Sequence, residues 1–119
     1  DEWVISRKAG RRSLVAAHEL HGVEAQLLAF LGSRNRRMQG VVVTVGPGCR
    51  YSKDEFLFNH DRDDFVYVLE GALEIDSGEK TYHLEQGDAA YFSLTDMDAI
   101  RNPGEARTQV LWIVSPSGA

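Results

Sequence analysis

Short β-rich runs alternate with turn residues along most of this chain, and this rhythm limits the possible folds more than any other feature. The valine-rich run 41–45 stops at Gly46-Pro47-Gly48, and the run 65–70 stops at Gly71. Two further runs flank the hairpin turn at residues 76–79. Turn signals recur about every 8–12 residues, as in β-sandwiches and barrels. The sequence therefore predicts an all-β domain of roughly nine to eleven short strands without a long helix.

Length and composition indicate one globular domain. The chain has 119 residues, of which 43% are hydrophobic. No apolar run reaches the roughly 18 residues that a membrane span needs, and no signal-peptide pattern opens the chain. The lone Cys49 cannot form an internal disulfide, so we expect a cytoplasmic protein. Because the chain opens at Asp1 rather than methionine, we expect a functional segment upstream.

Charge is distributed unevenly. The net charge is −5, but residues 1–40 hold seven basic and four acidic side chains. Such a basic leading edge could face nucleic acid or an acidic partner. The basic residues come in short pairs without interleaved aromatic residues, so we favour a solvated surface.

The segment from Phe58 to Gly71 contains the residues that point most clearly to a site. It begins polar and becomes an apolar β-run, with His60 and Asp64 four residues apart near its start. A second segment follows the same scheme, with Gly87-Asp88, a short β-run and then Asn102-Pro103-Gly104.

These spacings resemble the two motifs of the cupin superfamily. The first motif corresponds to Phe58, His60, Asp64 and Gly71, and the second to Gly87, Asp88, Asp98 and Asn102. The resemblance implies a cupin double-stranded β-helix, that is, a jelly-roll barrel. It further implies one cupin domain over residues 1–119, with the barrel core at 38–115 and leading strands in 1–37 packed on it.

Within the superfamily, the chain most resembles the C-terminal ligand-sensing cupin of bacterial helix-turn-helix regulators. The cues are the Arg-rich lead-in 4–12, the entry Arg37-Met38-Gln39 and the apolar end 110–116. The resemblance implies a sensor that binds a small-molecule effector and forms a homodimer. It implies DNA contact only through a helix-turn-helix domain that this chain does not contain.

Most cupins hold a divalent metal with three His and one Glu. The corresponding positions here are Phe58, His60, Asp64 and Asp98, of which only His60 is unchanged. One interpretation keeps a metal on His60, Asp64 and Asp98 and makes the chain a small dioxygenase, isomerase or lyase. Against it, Phe58 offers no lone pair. Asp is also one methylene shorter than Glu, about 1.5 Å against a tolerance of ~0.2 Å.

The other interpretation, which we favour, has no metal cofactor and no catalytic residue. The three polar groups would then bind an organic ligand or each other, and two carboxylates beside an imidazole would favour a cationic guest or a bound proton. The predicted ligand-contacting residues are Phe58, His60, Asp64, Asp98, Ile100, Arg50 and Tyr91. We also expect a lid at Arg50, Tyr51 and Lys53, an exposed His83, and Trp112 in the core or a dimer interface.

Overall fold

A computed structural model describes residues 5–13, 22–28, 38–55 and 62–116. Within these ranges the chain forms ten strands in two antiparallel sheets, as expected of a jelly-roll barrel. The strands are β1 Arg12–Ser13, β2 Val23–Leu28, β3 Gln39–Val45, β4 Arg50–Ser52, β5 Arg62–Glu70, β6 Ala72–Ser77, β7 Lys80–Glu85, β8 Ala89–Ser93, β9 Ala99–Arg101 and β10 Thr108–Pro116. The predicted all-β fold is confirmed.

One sheet contains six strands in the order β1-β2-β3-β10-β5-β8. Its centre is β10, which pairs with β3 on one side and β5 on the other. Side chains of β5 alternate strictly between buried and exposed from Arg62 to Leu69. One face of β5 therefore points into the barrel and the other points outward.

The other sheet contains four strands in the order β4-β9-β6-β7. The turn between β6 and β7 is the hairpin expected at residues 76–79, where Gly78 has a φ of +63°. The core lies between the two sheets. Its fully buried members include Val45, Val66, Val68, Leu73, Ile100 and Val110.

The motif residues Gly71 and Asn102 support the scaffold. Gly71 has a φ of +81°, and a Cβ there would lie 2.7 Å from the carbonyl oxygen of Arg107. Asn102 is buried; its amide donates to the carbonyl oxygens of Val45 and Ala106. These contacts hold the loop before β10 against the end of β3.

The segment of the expected lid, Arg50, Tyr51 and Lys53, is not an irregular loop, because it contains β4 and a 3₁₀ turn at Lys53–Glu55. The polar side chains of this segment lack the apolar pattern that predicts a strand. Its backbone nevertheless forms a short edge strand that pairs with β9. Of the leading strands expected in 1–37, the described residues contain β1 and β2, whereas Ile5 and Ser6 lie outside any strand.

Helical structure in the described ranges is limited to 3₁₀ turns at Lys8–Gly10, Lys53–Glu55 and Leu94–Asp96. No helix in this part of the chain is long and apolar enough to cross a membrane.

Candidate functional site

Most cupins hold their metal at four positions, which correspond by motif spacing to Phe58, His60, Asp64 and Asp98. The structure describes two of these four residues. Phe58 and His60 fall in residues 56–61, outside the described ranges, so their predicted roles stay predictions. Asp64 lies on β5, and Asp98 directly precedes β9. Only the two carboxylates can therefore be placed.

Asp64 is completely buried on the inner face of β5. The guanidinium of Arg62, two residues earlier on the same face, donates to both carboxylate oxygens, with Nε 3.0 Å from Oδ1 and Nη2 3.1 Å from Oδ2. The indole Nε1–H of Trp112 donates to Oδ2 across 2.6 Å. This Arg62–Asp64–Trp112 triad satisfies a buried charge that would otherwise be costly.

Strand alternation and register explain the triad. In β5, residues two apart share a face, so Arg62 lies beside Asp64 under the same sheet. In the neighbouring β10, Val114 is opposite Asp64 and Trp112 is opposite Val66, so the indole is diagonal to the carboxylate. The ring of Phe92 packs edge-on against Trp112 at a centroid distance of 6.2 Å.

The triad fits a divalent metal poorly. Three N–H groups, two of Arg62 and the indole of Trp112, bond to the carboxylate of Asp64 and take up most of its roughly four lone-pair sites. The fixed positive charge of Arg62 would also repel a cation at this position. Among the described residues, no group of three or more His, Cys, Asp or Glu side chains could hold a metal ion.

Asp98 lies at the end of the β6–β7 hairpin. Its Oδ2 accepts the N–H of Gly78 across 2.7 Å, and its own N–H donates to the carbonyl of Asp76 across 2.8 Å. The N–H of Lys53 donates to its carbonyl oxygen. The hairpin and the 3₁₀ turn at Lys53–Glu55 together fix this residue.

An open cavity of about 690 Å³ lies between β8 and the β6–β7 hairpin. Its lining residues are Ile75, Ser77, Gly78, Tyr82, residues 90–92 and residues 95–98. The volume lies within the usual range for small-molecule pockets, about 300–1,000 Å³. Two predicted ligand contacts, Asp98 and Tyr91, border this cavity, whereas Asp64 does not line it.

Two further predicted contacts, Ile100 and Arg50, do not line this cavity, and Tyr91 lies at its border. Ile100 is completely buried in the core. Arg50 is exposed, with its Nε 4.0 Å from the carboxylate of Asp76. Tyr91 is largely exposed, and a hydrogen bond to the carboxylate of Asp63 raises its pKa. The structure thus does not bring these three side chains together.

Tyr51, part of the expected lid, belongs to β4. Its hydroxyl donates to the carbonyl oxygen of Glu55 across 3.1 Å. Burial and the nearby Glu55 carboxylate raise the pKa of Tyr51 to about 12, partly offset by the guanidinium of Arg62. Tyr51 therefore stays neutral at physiological pH and lies within the electrostatic reach of the triad.

Charged side chains cover the outer face of the four-stranded sheet. Arg101 donates to the carboxylates of Glu74 and Asp76, with contacts of 2.9 Å and 2.6 Å. His83 is exposed, as expected, and its Nδ1 lies 3.2 Å from Glu74. Burial opposes ionisation of Asp76, but hydrogen bonds from Thr81 and Arg101 lower its pKa on balance.

Sequence reasoning missed Arg62 and the cavity residues Tyr82, Phe92 and Asp96. For Arg62 a signal existed, because it shares strand parity with Asp64 and so had to enter the barrel beside it. The cavity depends on how the edges of two sheets approach each other. No spacing within one motif encodes that approach.

The family model described as Cupin domain matches residues 41–114. No curated protein matches the chain in sequence. Among solved structures, the chain is similar to the Cupin_2 domain of an XRE family transcriptional regulator from Enterobacter cloacae, at 14% identity and a TM-score of 0.69. The match covers 80% of this chain and 97% of that one.

Two other solved structures have the same fold. An HTH_3 family transcriptional regulator from Vibrio cholerae matches at 15% identity and a TM-score of 0.64, covering 85% of this chain and 57% of that one. A sugar phosphate isomerase from the cupin superfamily of Silicibacter pomeroyi matches at 21% identity and a TM-score of 0.62, covering 90% and 71%. The fold thus occurs in both regulators and an enzyme. The family match spans well over half of the sequence, so the chain belongs to the cupin family.

Proposed function

We propose that this chain is the small-molecule-sensing cupin domain of a cytoplasmic transcriptional regulator, with its effector in the cavity between β8 and the β6–β7 hairpin. The observation that carries the proposal is the commitment of Asp64 to Arg62 and Trp112. A carboxylate held in this way stabilises the barrel and has little capacity left to ligate a metal. The likeness to cupin domains of two regulators agrees with this role.

The cavity suits a reversible effector. Ile75, Phe92 and Met97 supply apolar surface, while Ser77 and Asp98 supply polar atoms that could orient a ligand. The hairpin and the loop 95–98 both contribute to its lining. A ligand that bridges them would favour one arrangement of the two sheets, which is how an effector shifts an equilibrium between states.

The competing proposal is a metal-dependent enzyme that uses His60, Asp64 and Asp98. The sugar phosphate isomerase among the similar structures motivates it. It requires Asp64 and Asp98 to share one ion. Asp64 is buried in the triad and does not border the cavity, whereas Asp98 caps the hairpin and does. These different surroundings favour the sensor.

A regulator of this kind would act as a homodimer, and the outer face of the six-stranded sheet offers the surface. Phe65, Tyr67 and Leu69 of β5 are 38–41% exposed there. Leu111 and Ile113 of β10 are opposite Tyr67 and Phe65 and extend this apolar face. A self-complementary apolar patch suits a two-fold interface.

The first test reads the complete native gene for a helix-turn-helix segment upstream of this domain. Its presence is expected, and its absence would remove the regulator role. The second test measures the binding of the full-length protein to its own promoter DNA in the presence of small-molecule mixtures. The proposal expects a mixture that changes DNA affinity and shifts the NMR signals of Phe92 and Met97. A change in DNA affinity without shifts at the cavity would place the effector elsewhere.

A further inference from the structure

The cavity between β8 and the β6–β7 hairpin has an uneven distribution of charge. From the carboxylates and aromatic rings that line it, we infer that its preferred occupant is an organic cation, an ammonium group attached to an apolar or aromatic body. This inference rests on the proposed sensor function and adds the chemical class of the effector.

Two carboxylates supply the negative potential. Asp98 uses Oδ2 to accept the N–H of Gly78, which fixes its orientation and leaves Oδ1 for a ligand. The carboxylate of Asp96 has no hydrogen-bond or ion-pair partner among the described residues. Its carbonyl oxygen accepts the hydroxyl of Ser77, so the backbone beneath it is anchored. Both residues line the cavity.

Two aromatic rings, those of Phe92 and Tyr82, could contact the proposed cation in addition to the carboxylates. Phe92 lies on the inner face of β8, where its contact with Trp112 fixes the orientation of its ring. Tyr82 lies on β7 opposite Ile75, at the open side of the cavity. Aromatic faces attract ammonium groups, and they attract them more strongly where water is partly excluded.

No lysine, arginine or histidine is among the described residues that line the cavity. One described cation reaches a lining residue: the Nζ of Lys53 donates to the carbonyl oxygen of Thr95. An anionic ligand would therefore face two carboxylates without a countercharge, whereas a cation would gain two partners. A bare metal ion is less suitable, because no described group of three acidic, His or Cys side chains surrounds the site.

The experiment compares three probes that share an indole ring and differ in charge. Tryptamine is the cation, tryptophol is a neutral analogue with a hydroxyl in place of the amine, and indole-3-acetate is the anion. NMR titration of the whole chain follows the signals of Phe92 and Met97. Tryptamine is expected to bind about tenfold more tightly than tryptophol, and indole-3-acetate more weakly than both.

Two variants separate a specific site from general attraction to a negative protein. Asp96→Asn should reduce the preference for tryptamine over tryptophol to about threefold or less. Glu105→Gln makes the same change in net charge at an exposed residue outside the cavity lining and should leave the preference unchanged. Lys53→Met removes the nearby cation and should tighten tryptamine binding.

The outcomes distinguish the two proposals. Equal binding of tryptophol or indole-3-acetate with shifts at Phe92 would overturn the cation preference and leave the sensor proposal standing. Equal effects of Asp96→Asn and Glu105→Gln would also overturn it, since the preference would then reflect net charge alone. Failure of all three probes to shift Phe92 or Met97 would overturn the inference and count against the cavity as the effector site.

Discussion

The indole N–H of Trp112 on β10 donates a 2.6 Å hydrogen bond to the carboxylate of Asp64 on the neighbouring β5. The sequence predicts different roles for these two residues: Trp112 as an aromatic residue of the core or of a dimer interface, and Asp64 as a candidate ligand. Hydrogen bonds to ionised groups are shorter and stronger than neutral ones. The bond thus helps to hold a buried charge at the position that the motif spacing assigns to a metal ligand.

Trp112→Phe should destabilise the fold by about 1–3 kcal/mol. An aromatic ring is kept against Phe92, although the smaller ring leaves some empty volume, and Asp64 loses a donor in a site without access to solvent. Urea unfolding at neutral pH measures the change. Tyr91→Phe is the matched control, because it removes a hydrogen bond to Asp63 at an exposed site. It should change little; an equal loss in both variants would contradict the role given to the triad.

Arg62→Met should destabilise the fold by about 3–5 kcal/mol, because it leaves the buried carboxylate of Asp64 without its charged partner. The double variant Arg62→Met/Asp64→Leu should lose less free energy of unfolding than Arg62→Met and Asp64→Leu lose in total, because no unpaired charge remains. Urea unfolding of all four proteins gives the coupling energy. Strict additivity would show that the two side chains do not act as a pair.

Because of Tyr51, the free energy of unfolding should decrease as the pH rises into the alkaline range. Its folded pKa is about 12 against 10.0 for an ordinary tyrosine, because burial, with help from Glu55, disfavours the phenolate. The folded state therefore holds this proton more tightly than the unfolded state does. The stabilisation is fully present below pH 10 and is lost between pH 10 and 12.

Tyrosine ionisation can be followed by ultraviolet titration of the wild type and of Tyr51→Phe. The ionisation curve of the variant should lack one step at high pH that the wild type shows. The stability advantage of wild type over the variant should fall over the same interval. Glu55→Gln should move the late step to lower pH, because it removes a nearby negative charge. A late step that is unchanged in Tyr51→Phe would assign it to another tyrosine.

Phe65→Lys should shift the protein from dimer to monomer. It places a charge in the centre of the apolar outer face of the six-stranded sheet, next to Ile113. Thr81→Lys adds the same charge to the outer face of the other sheet and should leave the dimer intact. Sedimentation velocity at matched concentrations measures both. A dimer that persists in Phe65→Lys would place the interface elsewhere, and a monomeric wild type would contradict dimerisation.

The scaffold could be predicted from sequence because its determinants are local. The sequence predicts a strand end at Gly71, and the structure gives this residue a positive φ beside the backbone of residue 107. The residues after Gly78 return as β7, as the hairpin pattern indicated. Asn102 was placed by motif spacing, and its side chain closes the loop that follows it.

The candidate site could be predicted only in part, because its chemistry depends on neighbours that are distant in sequence. Asp64 was identified as an inward carboxylate, yet its partner Trp112 is 48 positions away and is set by register. The sequence did not predict a role for Arg62, because an arginine at the start of a strand usually reaches solvent. Burial of its charge follows from the pairing of β5 with β8 and β10.

Arg62 and Trp112 bond to the carboxylate of Asp64, and we propose that they take the place of a metal there. The most direct measurement is the metal content of protein purified without chelator, before and after dialysis against Fe²⁺, Mn²⁺ and Zn²⁺. The account predicts less than about 0.1 equivalent of transition metal in both samples. About one equivalent per chain, lost in the Asp64→Asn variant, would contradict it.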